Sequence, residues 1–255
     1  MKTVASLFFL IYVSVMCAAS PALCLGDKEV VDCIIHANRL CGEGKPKKAI
    51  EAINEVVADA INGGDKSQTA LLLFNRARAL EQAGMFKQAV EDYSWCIKCN
   101  PDDAMPFYNR GLLYQKLGMF DQAKADYFTI LKKEPHSIHA FNNLGLICDA
   151  KGEHDKALSY YGQALEADPN AVNVHFNRAI TCLSLGLYND ARQDFADELA
   201  RSPSSVASEY YYKAVDNFLA GHRDDSLEFI ARLKAMKHII PERFTDDLQK
   251  SAQKR

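Results

Sequence analysis

The sequence of 255 residues predicts an all-α protein of about six helix–turn–helix units, and three features carry that prediction. The first is a repeat. Pro101, Pro135, Pro169 and Pro203 fall 34 residues apart, as do Gly84, Gly118, Gly152 and Gly186, and a fixed period of this length marks stacked supersecondary units. The second is what surrounds those glycines: a small residue seven before each (Ala77, Gly111, Gly145, Ala179), an alanine five after it (Ala89, Ala123, Ala157, Ala191), and an aromatic four further on (Tyr93, Tyr127, Tyr161, Phe195). The third is that apolar residues recur at helical spacing on both sides of each glycine, so one unit is two antiparallel helices with the glycine in the turn. Composition agrees, since 48% hydrophobic and 25% charged residues are ordinary for a folded chain. A formal charge of −3 with no long like-charge run leaves no basic footprint for phosphate backbones, which argues against nucleic acid as a partner.

Taken in order, residues 1–22 read as a signal peptide. Met1 and Lys2 precede an apolar run from Val4 to Met16 and then the small-residue stretch Cys17-Ala18-Ala19-Ser20-Pro21-Ala22; the run is shorter than a spanning helix needs. Cleavage is expected after Ala19 or Ala22, giving an exported chain, periplasmic or secreted. Acylation of Cys17 or Cys24 would tie it to a membrane, but Met16 and Leu23 stand where such signals take Gly, Ala or Ser. Residues 28–69 make a degenerate first unit marked by Ala37, Gly44 and Ala49, with an insertion around Asn62-Gly63-Gly64-Asp65. Four units in register follow, at 70–103, 104–137, 138–171 and 172–205. A degenerate last unit spans 206–236, marked by Ala214, Gly221 and Ser226. Atypical end units are what capping requires when one face has no neighbour. The polar stretch 237–255 is expected to be a tail or capping helix, with Arg243 to about Gln253 a solvating end helix frayed at its tip.

The order of small, Gly, Ala, aromatic and Pro positions resembles the tetratricopeptide repeat (TPR) family, in register over 70–205 and with the flanking units over about 30–236. The resemblance implies a right-handed superhelix whose first helices line a concave groove for partner polypeptides. Within the family the chain resembles bacterial envelope proteins of the NlpI type, adaptors for proteases and peptidoglycan hydrolases. That likeness lies along Phe107 to Phe195, at Tyr108-Asn109-Arg110-Gly111 and Asn177-Arg178-Ala179-Ile180. It implies a non-catalytic scaffold of the cell envelope with protein or peptide partners; a pilus or secretion assembly factor and a secretory-pathway co-chaperone are the alternatives. The carboxylate clamp of co-chaperone TPR domains is not matched, because Phe74, Tyr108, Asn142 and Phe176 occupy its key positions, and Gln253-Lys254-Arg255 carries no retention signal.

The groove residues expected from first-helix spacing are Leu71, Phe74, Arg78 and Glu81; Met105, Tyr108, Leu112 and Gln115; His139, Asn142, Leu146 and Asp149; Asn173, Phe176, Ile180 and Leu183. This face is more apolar than a solvated one and reads as an interaction site, with a second copy of the chain or the C-terminal segment as competing occupants. Asn75, Asn109, Asn143 and Asn177 repeat along it. They read either as a ladder for an extended peptide backbone, since an amide both donates and accepts, or as local hydrogen bonding. Phe74, Tyr108 and Phe176 are expected to point away from the hairpin core. Three units carry an Arg sixteen residues before an Asp: Arg76 and Asp92, Arg110 and Asp126, Arg178 and Asp194. The remaining unit replaces both at once, by Leu144 and Tyr160, so each Arg is expected to clamp its own hairpin through the Asp and Leu144 to pack on Tyr160.

No constellation of nucleophile, base and oxyanion donors recurs, so neither enzymatic activity nor a cofactor or metal is expected. Cys96-Ile97-Lys98-Cys99 has the spacing of a thiol oxidoreductase, but it falls late in a second helix, where a redox thiol lacks the helix N-terminus that lowers its pKa. A structural disulfide or plain packing is the expectation there. Cys148 and Cys182 read as buried small residues, and Cys33 and Cys41 are too far apart to bridge on one helix. His136 and His139 have ligand-like spacing without an acidic or thiol partner nearby in sequence.

Overall fold

The computed structural model describes residues 25–251. The expected signal peptide, its cleavage point, Cys17, Cys24 and the last four residues lie outside them. Thirteen helices and no strand are present among the described residues, and no helix among them is long and apolar enough to cross a membrane. They form hairpins: α1 (Leu25–Gly42) with α2 (Pro46–Asn62), α3 (Lys66–Gln82) with α4 (Phe86–Cys99), α5 (Ala104–Lys116) with α6 (Phe120–Lys133), α7 (Ile138–Ala150) with α8 (His154–Ala167), α9 (Val172–Leu185) with α10 (Tyr188–Arg201), and α11 (Val206–Leu219) with α12 (Arg223–Ala235). A single helix, α13 (Glu242–Lys250), follows. The chain divides into two compact units between Pro106 and Phe107.

Each turn uses its glycine for a physical reason. Gly84 sits at φ +77°, the left-handed conformation that ends a helix; the Met85 amide then reaches back to the Leu80 carbonyl at 2.8 Å, satisfying a helix-end carbonyl. The same geometry recurs at Gly118, with Met119 N–H on Tyr114 O at 2.8 Å. Within the expected insertion the stretch from Asn62 to Asp65 is a tight turn, and the helices on either side of it, 17 residues each, are longer than the other helices of the in-register units. Helix α2 stops at Asn62, Gly64 takes φ +74°, and the Asp65 side chain caps α3 by accepting from Gln68 N–H at 2.9 Å.

The small positions are small because the helices touch there. Ala77, Ala89, Ala123, Ala157, Ala179 and Ala191 are fully buried, and a Cβ added at Gly111 would stand 2.9 Å from the Tyr127 ring. In the first unit the core gathers Val30, Ile34, Ile53, Val57 and Leu72, with Phe74 and Trp95 at its margin. In the second, one cluster joins Phe195, Tyr211, Val215, Leu233, Phe244 and Leu248. Those last two overturn the expectation of a solvating end helix. Phe244 and Leu248 are completely buried, Phe244 lies edge-on to Phe218 at 5.4 Å, and the Tyr188 hydroxyl donates to Asp247 at 2.6 Å. Polar composition hid the helix because its buried apolar contact rests on only two side chains, four apart and so on one face.

Candidate functional site

The hairpins are held as their spacing foretold. Arg76 places Nε and Nη2 on the two Asp92 oxygens at 2.8 and 2.7 Å; Arg110 does so on Asp126 at 2.9 and 2.6 Å, and Arg178 on Asp194 at 2.8 and 2.6 Å. The carboxylates are almost wholly buried. The hydrogen bonds donated to Asp92 and Asp194 hold the Arg76 and Arg178 guanidinium groups above their ordinary pKa, against the opposing effect of burial. In the exceptional unit Leu144 is completely buried, and Tyr160 packs half-buried on the cluster containing Phe141 and Cys148.

A second brace was not foreseen. The buried tyrosine of each hairpin donates its hydroxyl to a residue twelve positions earlier: Tyr93 to Glu81, Tyr127 to Gln115 at 2.6 Å, Tyr161 to Asp149 at 2.8 Å. The fourth unit has Phe195, which has no hydroxyl, and Leu183, which has no acceptor. That paired change is visible in the sequence and is the signal that could have found the brace. Glu81, Gln115 and Asp149 therefore use acceptor capacity inside the hairpin; Asp149 also accepts from Thr181 at 2.7 Å and lies 3.0 Å from His154 Nδ1.

In the first unit, Leu71 and Met105 are exposed large apolar side chains and Arg78 is exposed. Phe74 is half-buried, edge-on to Tyr93 at 5.5 Å. In the second unit, Leu112 and Leu146 are each 37% exposed, His139 and Asn173 are exposed, and Tyr108, Asn109, Asn142, Phe176, Asn177 and Ile180 are half-buried. Helices α5, α7 and α9 lie side by side there. The Tyr108 and His139 rings are 5.8 Å apart, and Asn177 Nδ2 donates to Asn142 Oδ1 at 2.8 Å.

On the first-helix face the structure decides between the two readings of the asparagines, in favour of local hydrogen bonding at Asn75 and Asn143, and corrects the expectation for the aromatic residues. Asn75 and Asn143 are 4% and 5% exposed, and each amide donates to the carbonyl one turn back in its own helix, Leu71 at 2.8 Å and His139 at 2.9 Å. The nearby backbone acceptor takes the donor that a ladder would offer to a peptide. The aromatic residues do not point away from the hairpin core either. Phe74, Tyr108 and Phe176 pack against Tyr93, Tyr127 and Phe195, the buried ring of each one's own hairpin, with Phe176 also 5.7 Å from Tyr211.

The six described cysteines are free thiols, and Cys33 and Cys41 share helix α1. Burial pushes the Cys96 thiol up to about 12, and it donates to the Ala70 carbonyl at 3.2 Å. A redox nucleophile needs the opposite shift.

Comparison with known proteins bears on the repeat. The tetratricopeptide repeat profile matches residues 139–171, and a second profile of the same repeat matches 96–125 and 160–193. No curated protein matches the chain. Among solved structures, a tetratricopeptide repeat protein from Parabacteroides merdae aligns with a TM-score of 0.66 at 18% identity, over 82% of this chain and 80% of that one. PilF of Pseudomonas aeruginosa gives 0.68 at 16% identity, over 88% and 99%. PilW, a widely conserved type IV pilus biogenesis factor, gives 0.66 at 19%, over 89% and 100%. At these identities the likeness is one of fold.

Proposed function

Because this chain is a tetratricopeptide repeat protein, we propose that it is a non-catalytic scaffold that captures a partner polypeptide on the first-helix face of its second unit. The carrying observation is the pair Leu112 and Leu146, exposed on adjacent helices beside Tyr108 and His139. Exposed large apolar side chains on neighbouring helices mark an interaction site more often than a solvated surface. The rings behind it, braced on Tyr127 and Phe195, make a stiff floor, so binding costs little ordering entropy. With Asn75 and Asn143 committed to their own helices, backbone readout of an extended peptide loses support. The reading favours a segment docked by its apolar side chains, such as one face of an amphipathic helix.

The finer reading is an exported adaptor of the bacterial envelope, supported by the signal-like pattern of residues 1–22. An assembly factor for pili or secretion is the second reading, favoured because this chain covers the whole of PilW. The test compares capture from a native envelope extract by the full chain and by Leu112→Glu/Leu146→Glu. Both positions are exposed, so helicity and melting should hold while capture falls roughly thirtyfold, the equivalent of about 2 kcal/mol at an interface centre. Undiminished capture by the double variant would sink the proposal and direct attention to the opposite surface or to the segment from Glu242.

A further inference from the structure

The fourth in-register hairpin breaks its own repeat at two core positions. His175 stands where the other units have Leu73, Phe107 and Phe141, and Glu198 where they have Cys96, Ile130 and Ala164. All eight side chains are at least nine-tenths buried, so an apolar pair has been exchanged for an ionisable one without leaving the core. Such an exchange is costly unless the polar groups find partners, and here they do so incompletely. His175 Nε2 lies 3.0 Å from the Pro169 carbonyl oxygen, which can only accept, so Nε2 carries the hydrogen. That leaves Nδ1 facing Asp194 Oδ1 at 3.1 Å, two lone pairs that require a cation between them, either a proton or a metal ion. Asp197 adds a third carboxylate or imidazole atom within 4.8 Å of these two. Glu198 is 4% exposed, its Oε2 has no hydrogen-bond partner, and its carboxylate is within electrostatic reach of the His175 ring.

We infer that this cluster is a binding site for a divalent transition-metal ion of the zinc class, held by His175 Nδ1, Asp194 Oδ1 and the Asp197 carboxylate, with the buried Glu198 adding negative charge beside them. A proton on Nδ1 closes only the His175 and Asp194 pair, whereas a metal ion also engages the Asp197 carboxylate, which lies within 4.8 Å of both. The supporting shell has the form that such sites use. The non-ligating imidazole nitrogen is fixed by a backbone carbonyl, and Arg178 orients the Asp194 carboxylate from behind. One imidazole with carboxylate oxygens suits zinc and its neighbours better than calcium, which takes oxygen ligands only. Asp197, with a side chain 36% exposed, provides the way in, and Arg201 stands at the rim 3.8 Å from it.

The test uses the full chain stripped of metal and titrated with zinc against a chromophoric chelator, with cobalt(II) as the spectroscopic probe. One equivalent should bind, raise the melting midpoint, and give a cobalt spectrum without thiolate-to-metal charge transfer, which separates this site from the cysteines. Asp197→Asn should weaken binding at least about tenfold, and Glu198→Gln, which removes only a neighbouring charge, by less. His175→Phe/Glu198→Ile restores the apolar pair of Phe107 and Ile130; it should lose the equivalent and its zinc-dependent stabilisation while melting, metal-free, no lower than the parent. Absence of the equivalent from the parent chain would overturn the site and leave a proton as the cation between His175 and Asp194. Its persistence in the double variant would overturn it equally.

Discussion

At the residue scale, the most informative feature is that one chain solves the same problem in two ways. Three hairpins are joined by a two-point guanidinium–carboxylate bond, and in the fourth the same two positions hold the buried Leu144 and the half-buried Tyr160. A buried ion pair contributes little over well-packed apolar residues, but breaking it strands a charge. Asp126→Ala should therefore destabilise the protein by about 3 kcal/mol, the lower end of the range for such losses, because Arg110 keeps 17% of its side chain exposed. Arg110→Leu/Asp126→Tyr, which copies the neighbouring hairpin, should recover at least half of that. Urea denaturation of the parent and both variants decides the matter: a double variant no better than the single one would mean that the pairs are not interchangeable solutions. Both clamp positions were legible in the sequence because the sixteen-residue separation spans one turn and two short helix segments, a distance set almost wholly by local geometry.

At the scale of elements, α13 is the part whose importance composition concealed. Its Phe244 closes the second unit's aromatic cluster against Tyr188 and Phe218, and Asp247 receives the Tyr188 hydroxyl. That hydrogen bond holds the Asp247 carboxyl below its usual range. The helix also crowds the last in-register turn: a Cβ at Gly186 would stand 2.6 Å from Arg243 Nε. Phe244→Ala should cost about 3–5 kcal/mol, as large core truncations do, and should open α13 and the adjoining turn to amide exchange ahead of α5 to α8. Protection factors by hydrogen exchange measure this, and uniform loss across the second unit would show instead that α13 is not a separable brace. The tyrosine hydroxyl acceptors belong to the same scale. Glu81, Gln115 and Asp149 fall on the predicted groove face by spacing alone, yet each accepts the hydroxyl of a tyrosine on the second helix of the same hairpin.

At the scale of the whole molecule, the thiols and phenols buried in both units make the fold sensitive to alkali. Burial raises Cys96 and Cys182 from 9.0 to about 12 and Tyr211 from 10.0 to about 12. A group whose folded pKa is raised contributes stability that is fully present below its unfolded pKa and is lost as pH climbs through the folded one. Stability should thus hold up to about pH 9 and decline from there toward 12, and Cys96→Ala/Cys182→Ala should flatten the lower part of that decline. Chemical denaturation across this range, under reducing conditions, tests it; a double variant with an unchanged slope would assign the alkaline loss to the tyrosines alone. The same burial predicts that Cys96 resists alkylation in the native protein while the half-buried Cys99 reacts.

The sequence by itself determined the all-α repeat, the hairpins with glycine at their turns, and the arginine clamps, because these depend on helical periodicity and on separations shorter than one repeat. Tertiary structure alone decided which neighbour each side chain meets. It set whether Asn75 and Asn143 face a ligand or their own helix, whether Phe74, Tyr108 and Phe176 are exposed anchors or pack on buried rings, and whether a polar C-terminal stretch buries Phe244. It also brought His175 against Asp194 and Glu198. A side chain's hydrogen-bonding capacity goes to whichever acceptor or donor lies nearest in space. Periodicity names the face a residue occupies but not the neighbour that claims it.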